Sequence, residues 1–323
     1  EAIDVVMRFM GVDSPEELDA TEVERLEDFL DRPLRINMVA TSRLAASGLL
    51  SPFQVASLAY YRSRHGNVMS YAELAAVDGF GPEAVRKLRP FISLECHEIH
   101  TASMHSRHDL AVKAAGKVTG MPVEGDWNYG LKYRFRTDRM TASIGTSKPY
   151  SSESPWPETY TGSLSVDFSK IRVIMGDFNA RFGQGLALWS GAFMTSLNTP
   201  DAFMKKPSGI AGTGSFTGSS ALTGVAAETT AGRLKITAMM AVPGVKDMKR
   251  HPEKVTLLPG ANLTYLTRYG HASMTYAGSK VSIDEAFCIR GVNLFSEAAY
   301  DFAERRMAAV CGTQFNASER VRL

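Results

Sequence analysis

The stretch Trp127-Asn-Tyr-Gly-Leu-Lys-Tyr-Arg-Phe-Arg136 alternates without a break. Trp127, Tyr129, Leu131, Tyr133 and Phe135 share one parity; Asn128, Gly130, Lys132, Arg134 and Arg136 share the other. A strand points successive side chains to opposite faces, so this segment is a strand with one apolar and one basic face. Asp138 and Arg139 read as a tight turn, and Met140, Ala142 and Ile144 continue the apolar face. The same period returns in Leu164, Val166 and Phe168 against Ser163, Ser165 and Asp167. It returns again in Leu234, Ile236, Ala238 and Met240, and in Leu263 and Tyr265 before Tyr269-Gly270. Hairpin after hairpin at this spacing predicts an antiparallel meander.

A soluble barrel or sandwich gives the same alternation, but it turns its polar face outward. Here Lys132, Arg134 and Arg136 oppose an unbroken aromatic-aliphatic face, which a membrane barrel would turn toward lipid while the charges line water. The strands run to about 9–11 residues, above the usual length of about 5–6. Aromatics (Trp127, Tyr160, Phe168, Tyr265, Tyr300 and Phe315) fall near strand ends. At about 10 residues per strand plus turns, residues 96–323 hold roughly 12–14 strands.

Before residue 95 the period is helical. Ser14-Pro15-Glu16-Glu17 is a helix start, and Val23, Leu26, Phe29 and Leu30 repeat every three to four residues until Pro33. Asn37 is placed to cap a second helix with Val39, Leu44 and Leu50 as core positions. Pro52 opens a third, ended by Gly66; Tyr71 to Val77 is a fourth; Pro82 begins a fifth running to Leu88. Charge divides this half as well. Residues 1–33 hold 11 acidic and 3 basic side chains, whereas residues 34–94 hold 3 acidic and 7 basic. Three units follow: an acidic helical lead-in (1–33), a basic helical module (34–95) and the β region (96–323).

Composition excludes several classes. With 44% hydrophobic and 22% charged residues the chain is not intrinsically disordered. It contains no apolar run of about 18 residues, so no transmembrane helix is expected. A mean hydropathy of −0.12 does not argue against a membrane barrel, whose alternating strands average near zero. Cys96, Cys288 and Cys311 are too few for a disulfide framework. The chain starts at Glu1 with no signal-peptide pattern, so an exported protein would already have lost its leader.

Two motif regions carry a resemblance. Ile36-Asn37-Met-Val-Ala40, Phe53-Gln-Val, Tyr60-Tyr-Arg-Ser-Arg-His-Gly66 and Gly79-Phe80-Gly81-Pro82 resemble the helix-hairpin-helix domain of ComEA-type competence DNA receptors. Gly176-Asp177-Phe178, Arg181-Phe182-Gly183-Gln184-Gly185-Leu186 and Leu188-Trp189-Ser-Gly191 resemble the Bacteroidota outer-membrane family in which such a domain precedes a long β-barrel. The resemblance implies an α+β multidomain protein: a small helical domain in the periplasm, then a transmembrane barrel in outer-membrane lipid. In that family the barrel is usually longer, and this chain ends at Val321-Arg-Leu323 without a terminal aromatic. It is therefore either a short member or a chain that stops before its barrel closes.

Candidate sites follow. Gly79-Phe80-Gly81 would let a DNA phosphate approach backbone N–H groups, with Arg86, Lys87 and Arg89 adding charge and no sequence preference. The alternative is a fold element that packs Phe80 into the core. Against DNA, Ser47-Gly48-Leu49-Leu50-Ser51 lacks a second glycine, and the acidic lead-in would repel phosphate if it packs nearby. Lys132, Arg134 and Arg136 would give a barrel lumen an anion preference. Gly176, Asp177, Phe182, Gly183, Gln184, Gly185 and Trp189 read as a bend or inward loop at the barrel mouth, with Trp189 at the membrane interface. Cys96, His97, His100, His105 and His108 match no standard zinc spacing, so no metal or other cofactor is expected. No nucleophile elbow or metalloprotease helix occurs, and the chain reads as non-enzymatic. Glu285 falls on the apolar parity of Val281, Ile283, Phe287 and Ile289, a conflict that a bulge or a partner interface would explain. The function expected is DNA uptake-like binding by a membrane barrel. The competing reading is a structural subunit of an envelope complex whose helical module docks a protein, and a small-solute pore is a third.

Overall fold

The computed structural model describes residues 2–10, 20–31, 33–39, 41, 44, 47–96, 106–119, 124–137, 139–150, 154–168, 171–191, 204–205, 207–214, 221–243, 256–267, 269–289, 292–318 and 321–322. The helix start at Ser14-Pro15 and the turn residue Asp138 lie outside them. A small helical region is followed by one large antiparallel sheet.

The helical region contains α1 (Ala2–Met10), α2 (Ala20–Asp31), α3 (Pro52–His65), α4 (Tyr71–Ala76) and α5 (Gly81–Leu88), then a 3-10 turn at Arg89–Phe91. Two short strands, β1 (Leu34–Arg35) and β2 (Ile92–Ser93), pair in parallel and tie its ends together. Ser51 starts α3 with a full capping box: its hydroxyl accepts from Gln54 N, and the Gln54 side chain accepts from Ser51 N. Pro52 fills the first turn, and Gly66 (φ 84°) closes the helix by donating to Arg62 O at 3.2 Å. Val6, Leu26, Ile36, Leu44, Leu58, Leu74 and Phe91 form one core, so α1 and α2 share it with the later helices. Asn37 is not a helix cap. Its Nδ2 donates to Val68 O (2.9 Å) and Leu94 O (2.8 Å), and its Oδ1 accepts from Val68 N (2.9 Å). A buried amide with three backbone partners joins three segments distant in sequence, which local spacing does not reveal.

The sheet follows as β3 (Arg107–Thr119), β4 (Glu124–Arg136), β5 (Met140–Lys148), β6 (Thr159–Asp167), β7 (Ile171–Arg181), β8 (Gly209–Gly212), β9 (Leu222–Ala231), β10 (Leu234–Pro243), β11 (Leu258–Leu266), β12 (Gly270–Ala277), β13 (Lys280–Ile289), β14 (Val292–Asp301), β15 (Arg306–Ser318) and β16 (Val321–Arg322). Each strand pairs antiparallel with the next, except that β9 returns to β7 and β8 hangs on β7 alone. Among the described residues β3 and β16 do not pair with each other, so the sheet is open.

Its polarity is inverted relative to a water-soluble sheet. Along β13, Ser282 is 1% exposed, Ile283 is 64% exposed and Asp284 is 2% exposed. Along β12, Met274 is 51% exposed beside Thr275 at 1%. Leu110, Leu131, Ile144, Met175, Val225, Ile236, Met240 and Leu263 continue the exposed apolar face. Lys132, Ser143, Thr161, Lys235, Asn262 and His271 continue the buried polar one. The register through Glu285 is unbroken, so no bulge explains that residue; it is exposed on the apolar face and accepts from Ser296 Oγ at 3.2 Å.

The two ends of the sheet differ. At one end the connections after β4, β6, β9, β11 and β13 are two or three residues long. The strands that lead into the long connections 149–158, 182–208 and 244–257 all end at the other. The helical module sits at the short-turn end, where β3 begins and β4 finishes. Asp28 of α2 reaches Arg134 and Arg136 there, and α3 packs against β11, β12 and β13. The outward side chains of those strands are exposed, so α3 lies on the polar face.

Candidate functional site

The hairpin before α5 is built by two glycines in the left-handed region, Gly79 (φ 85°) and Gly81 (φ 65°). A Cβ on Gly79 would stand 2.3 Å from Phe53 Cε1, so this glycine serves close packing; Gln54 Nε2 also donates to its carbonyl at 2.9 Å. Space around Gly81 is open. Phe80 is 4% exposed and belongs to the core. Its side chain packs the core, where an apolar group gains by burial, and its backbone N–H donates to Val77 O at 3.1 Å and is not turned to a phosphate. Arg86 and Arg89 are exposed, Lys87 is half-buried, and the Arg89 guanidinium lies 5.2 Å from the Tyr71 ring centroid. One feature opposes an anion here: Glu83 occupies the first turn of α5; the lead-in packs nearby through α1, whose Asp4 and Arg8 balance in charge. Gly48 (φ 66°) at the other hairpin faces the Arg25 guanidinium, 2.7 Å from where its Cβ would be.

The polar wall of the sheet is the second candidate. Register places Arg134 opposite Ser143 and Ser143 opposite Ser163; the next row is Arg136, Thr141 and Ser165. Ser143 and Ser163 share a hydrogen bond of 2.8 Å. Lys132 and Arg136 are buried on this wall, and Arg134 and Arg136 both pair with Asp28, the former at 3.1 Å. Burial holds the Asp28 carboxyl above its ordinary range, against the pull of the two arginines. Thus the basic row is partly neutralised by the protein's own module. Farther round, Lys235 pairs with Glu228 at 3.0 Å. Asp284 accepts from Ser273 Oγ and lies 3.1 Å from His271 Nε2. Ser273 donates to the carboxylate rather than to the imidazole, so this trio lacks the order of a nucleophile relay.

The glycine-rich motif forms an inward loop. Gly176 (φ 92°) bends β7 where a Cβ would stand 2.2 Å from Gly162 O. Asp177 holds the bend, accepting from Gly162 N at 2.7 Å and from Thr223 Oγ1. The chain then turns back at Phe182: Ser190 N donates to Ala180 O at 2.9 Å and Arg181 Nε to Ser190 O at 3.2 Å. Glu297 of β14, 1% exposed, fixes this loop by accepting from the backbone N–H groups of Gln184 (2.6 Å), Leu186 (3.2 Å) and Ala187 (3.4 Å). Gly183 (φ 55°) makes room, since its Cβ would lie 2.9 Å from the Glu297 carboxyl carbon. Gln184 exchanges hydrogen bonds with the Lys205 backbone.

Gly185 (φ 83°) packs on Trp189, and the Trp189 ring lies 5.6 Å from the Arg181 guanidinium and 5.0 Å from Lys205 Nζ. Trp189 is therefore an interior residue gripped by two cations, and its assignment to the membrane interface is corrected. Burial pulls the Lys205 ammonium below its ordinary range, with Glu297 opposing. Sequence reasoning missed Glu297. Its only local signal is a carboxylate on the parity of Phe295 and Ala299, which face inward.

Of the Cys/His group, His97, His100 and His105 lie outside the described residues. Cys96 Sγ lies 3.4 Å from Asn37 Nδ2, and His108 Nδ1 lies 2.7 Å from Tyr133 Oη.

No protein-family model matches the chain, and no curated protein matches it. Solved structures with a similar arrangement include a triple mutant of Rh. blastica porin (12% identity, 67% of this chain and 92% of that one, TM-score 0.27). Another is Pseudomonas aeruginosa OccK2 (OpdF), at 8% identity, 65% of this chain, 61% of that one and TM-score 0.34. Both are distant likenesses.

Proposed function

We propose that this chain is a bacterial outer-membrane β-barrel protein whose helical module sits at the periplasmic mouth and closes against the inner wall. The inverted polarity of the sheet carries the reading. Apolar area left in water forgoes about 25 cal/mol per Å², and a whole face of such side chains is tolerated only where lipid or a protein partner covers it; a face that runs round most of the sheet fits lipid. Ile283, exposed between buried Ser282 and Asp284, shows the pattern within three residues. Bacterial barrels place short turns in the periplasm and long loops outside. The short-turn end carries the module, which supports its periplasmic position. The chain is read as non-enzymatic. Membrane fractionation and heat-modifiable gel mobility test the barrel: the folded chain should resist alkaline extraction and migrate anomalously until boiled. Release by alkali, or the same mobility before and after boiling, would sink the barrel. Protease should reach the module in spheroplasts and spare it in intact cells.

A second reading, non-specific DNA binding by the module, is favoured by one observation: open space at Gly81 beside the exposed Arg86 and Arg89. Its test is fluorescence anisotropy of random duplex DNA with the full chain in micelles. Binding should fall steeply with salt and weaken in Arg86→Ala/Lys87→Ala and in Gly81→Ala. No binding at low salt would leave the module as a docking element for an envelope protein.

A further inference from the structure

The connection between β5 and β6 is tied to the outside of the sheet. Residues 149–158 read Pro-Tyr-Ser-Ser-Glu-Ser-Pro-Trp-Pro-Glu and join Lys148 to Thr159 at the end opposite the short turns. Of these, residues 149–150 and 154–158 are described. Tyr129 of β4 shares the parity of Trp127 and Leu131, the outward one, and its hydroxyl donates to Pro155 O. At that point the loop is held on the outward face and not on the polar inner wall. Trp127, Trp156 and Tyr160 are exposed around the same rim. Tyr160 is outward by register, since it pairs with Thr146, two residues from outward Ile144. Toward the short turns, Leu131 and Ile144 begin the aliphatic face.

Backbone accounting separates this loop from an ordinary one in water. Pro155 and Pro157 carry no N–H. The Trp156 N–H donates to Ser154 Oγ at 3.2 Å, and the Glu158 N–H donates to Ser147 O at 3.0 Å. From 155 to 158 every N–H is therefore absent or paired within the protein, and the Pro155 carbonyl is paired with Tyr129. A segment that leaves water must meet that condition, whereas one that stays in water need not. Trp156 is nevertheless 74% exposed, between two rigid residues that hold it out. Tryptophan and tyrosine join an apolar ring to a polar edge and concentrate where hydrocarbon meets headgroups. We infer that Pro155-Trp156-Pro157 lies in the outer-leaflet interface of the membrane and anchors the rim there, with lipid as the partner of Trp156. Girdles of strand aromatics are general in membrane barrels. Here a connecting loop folds outward and extends the girdle of Trp127 and Tyr160. The inference rests on the membrane reading of the sheet.

The test is tryptophan fluorescence of the full chain in phosphatidylcholine vesicles, since the sequence holds only Trp127, Trp156 and Trp189. Trp127→Phe/Trp189→Phe leaves Trp156 alone, and Trp156→Phe/Trp189→Phe leaves Trp127, which reads the wall. Trp156 should lose emission to lipids brominated near the headgroup and lose less to lipids brominated near the chain end. It should also be shielded from iodide supplied on both sides of the vesicle. Tyr129→Phe removes the donor to Pro155 O. It should shift Trp156 emission to the red and raise its iodide quenching, with Trp127 unchanged. Where Trp189→Phe disturbs folding, as judged by heat-modifiable mobility, the wild-type signal minus that of Trp156→Phe gives the same readout. Free quenching of Trp156 by iodide, with none by either lipid, would overturn the anchor. Shielding from both quenchers would do so too, because the protein itself would then cover the ring. An unchanged response in Tyr129→Phe would overturn the tie to β4. In each case lipid quenching of Trp127 keeps the membrane reading intact, so the anchor can fail alone. No lipid quenching at Trp127 would sink the membrane reading and the anchor together.

Discussion

The helical module and the sheet obey opposite rules for what is buried. In the module Leu58 and Phe91 are fully buried while Arg86 and Arg89 face out. In the sheet Thr275, Ser282 and Glu297 are at most 1% exposed while Ile283 and Met274 face out. One chain thus holds a region with apolar side chains inside and polar ones outside, and a region with the reverse arrangement. The contrast teaches that burial in a contact map has no fixed chemical meaning until the solvent on the far side is specified.

Four substitutions sharpen or break this comparison. Leu58→Ala should cost about 2–5 kcal/mol of module stability, because its core relaxes only partly around the cavity. Met274→Ala, on the exposed face, should cost much less in the same denaturant titration in micelles; equal costs would erase the distinction. Ile283→Lys should destabilise the sheet in lipid by about 2–4 kcal/mol if that position lies near the bilayer midplane. A soluble sheet would tolerate the same lysine, so a neutral result breaks the membrane reading. Glu297→Gln weakens three backbone hydrogen bonds to a charged acceptor and should loosen the inward loop by about 1.5–3 kcal/mol. Faster amide exchange at Gln184, Leu186 and Ala187, with the rest of β14 unchanged, is the expected readout.

The smallest effect concerns the latch between the two regions. Asp28 is about a third exposed, so its pairing with Arg134 and Arg136 should contribute only about 0–1 kcal/mol. Its pH dependence has a definite sign. Burial raises the carboxyl in the docked state more than the arginines lower it, so docking takes up a proton: the docked form is favoured through the protonated carboxyl below the undocked value, and that advantage fades as pH rises through the docked one. Pulsed EPR distances between labels on α2 and β6 should report tighter docking toward acid pH, and Asp28→Ala should flatten the curve.

Much of the fold was legible in the sequence because the strand period is exactly two. Parity alone puts Lys132, Arg134 and Arg136 on one face of β4, and it likewise puts Ser163 and Ser165 on one face of β6. Capping chemistry likewise marks α3, from Ser51 and Pro52 to Gly66. The candidate sites were less legible. Phe80 and Trp189 are aromatic residues in glycine-rich turns, and local pattern cannot tell an exposed apex from one folded inward. Asn37 has the composition of a cap and the surroundings of a cross-link. Glu297 meets Gln184 across 113 positions, so neither residue's neighbours announce the other.

By itself, then, the sequence determined which side chains share a face, where α3 starts and stops, and that the chain changes period near residue 95. Each of these is set by steric and hydrogen-bonding rules acting within a few residues. Only the tertiary structure decided which face turns inward, that the module meets the end with short turns, and that Asp28 answers the arginines of β4. Those depend on closing loops of about a hundred residues, whose outcome is fixed by the summed burial of whole faces and by no local motif.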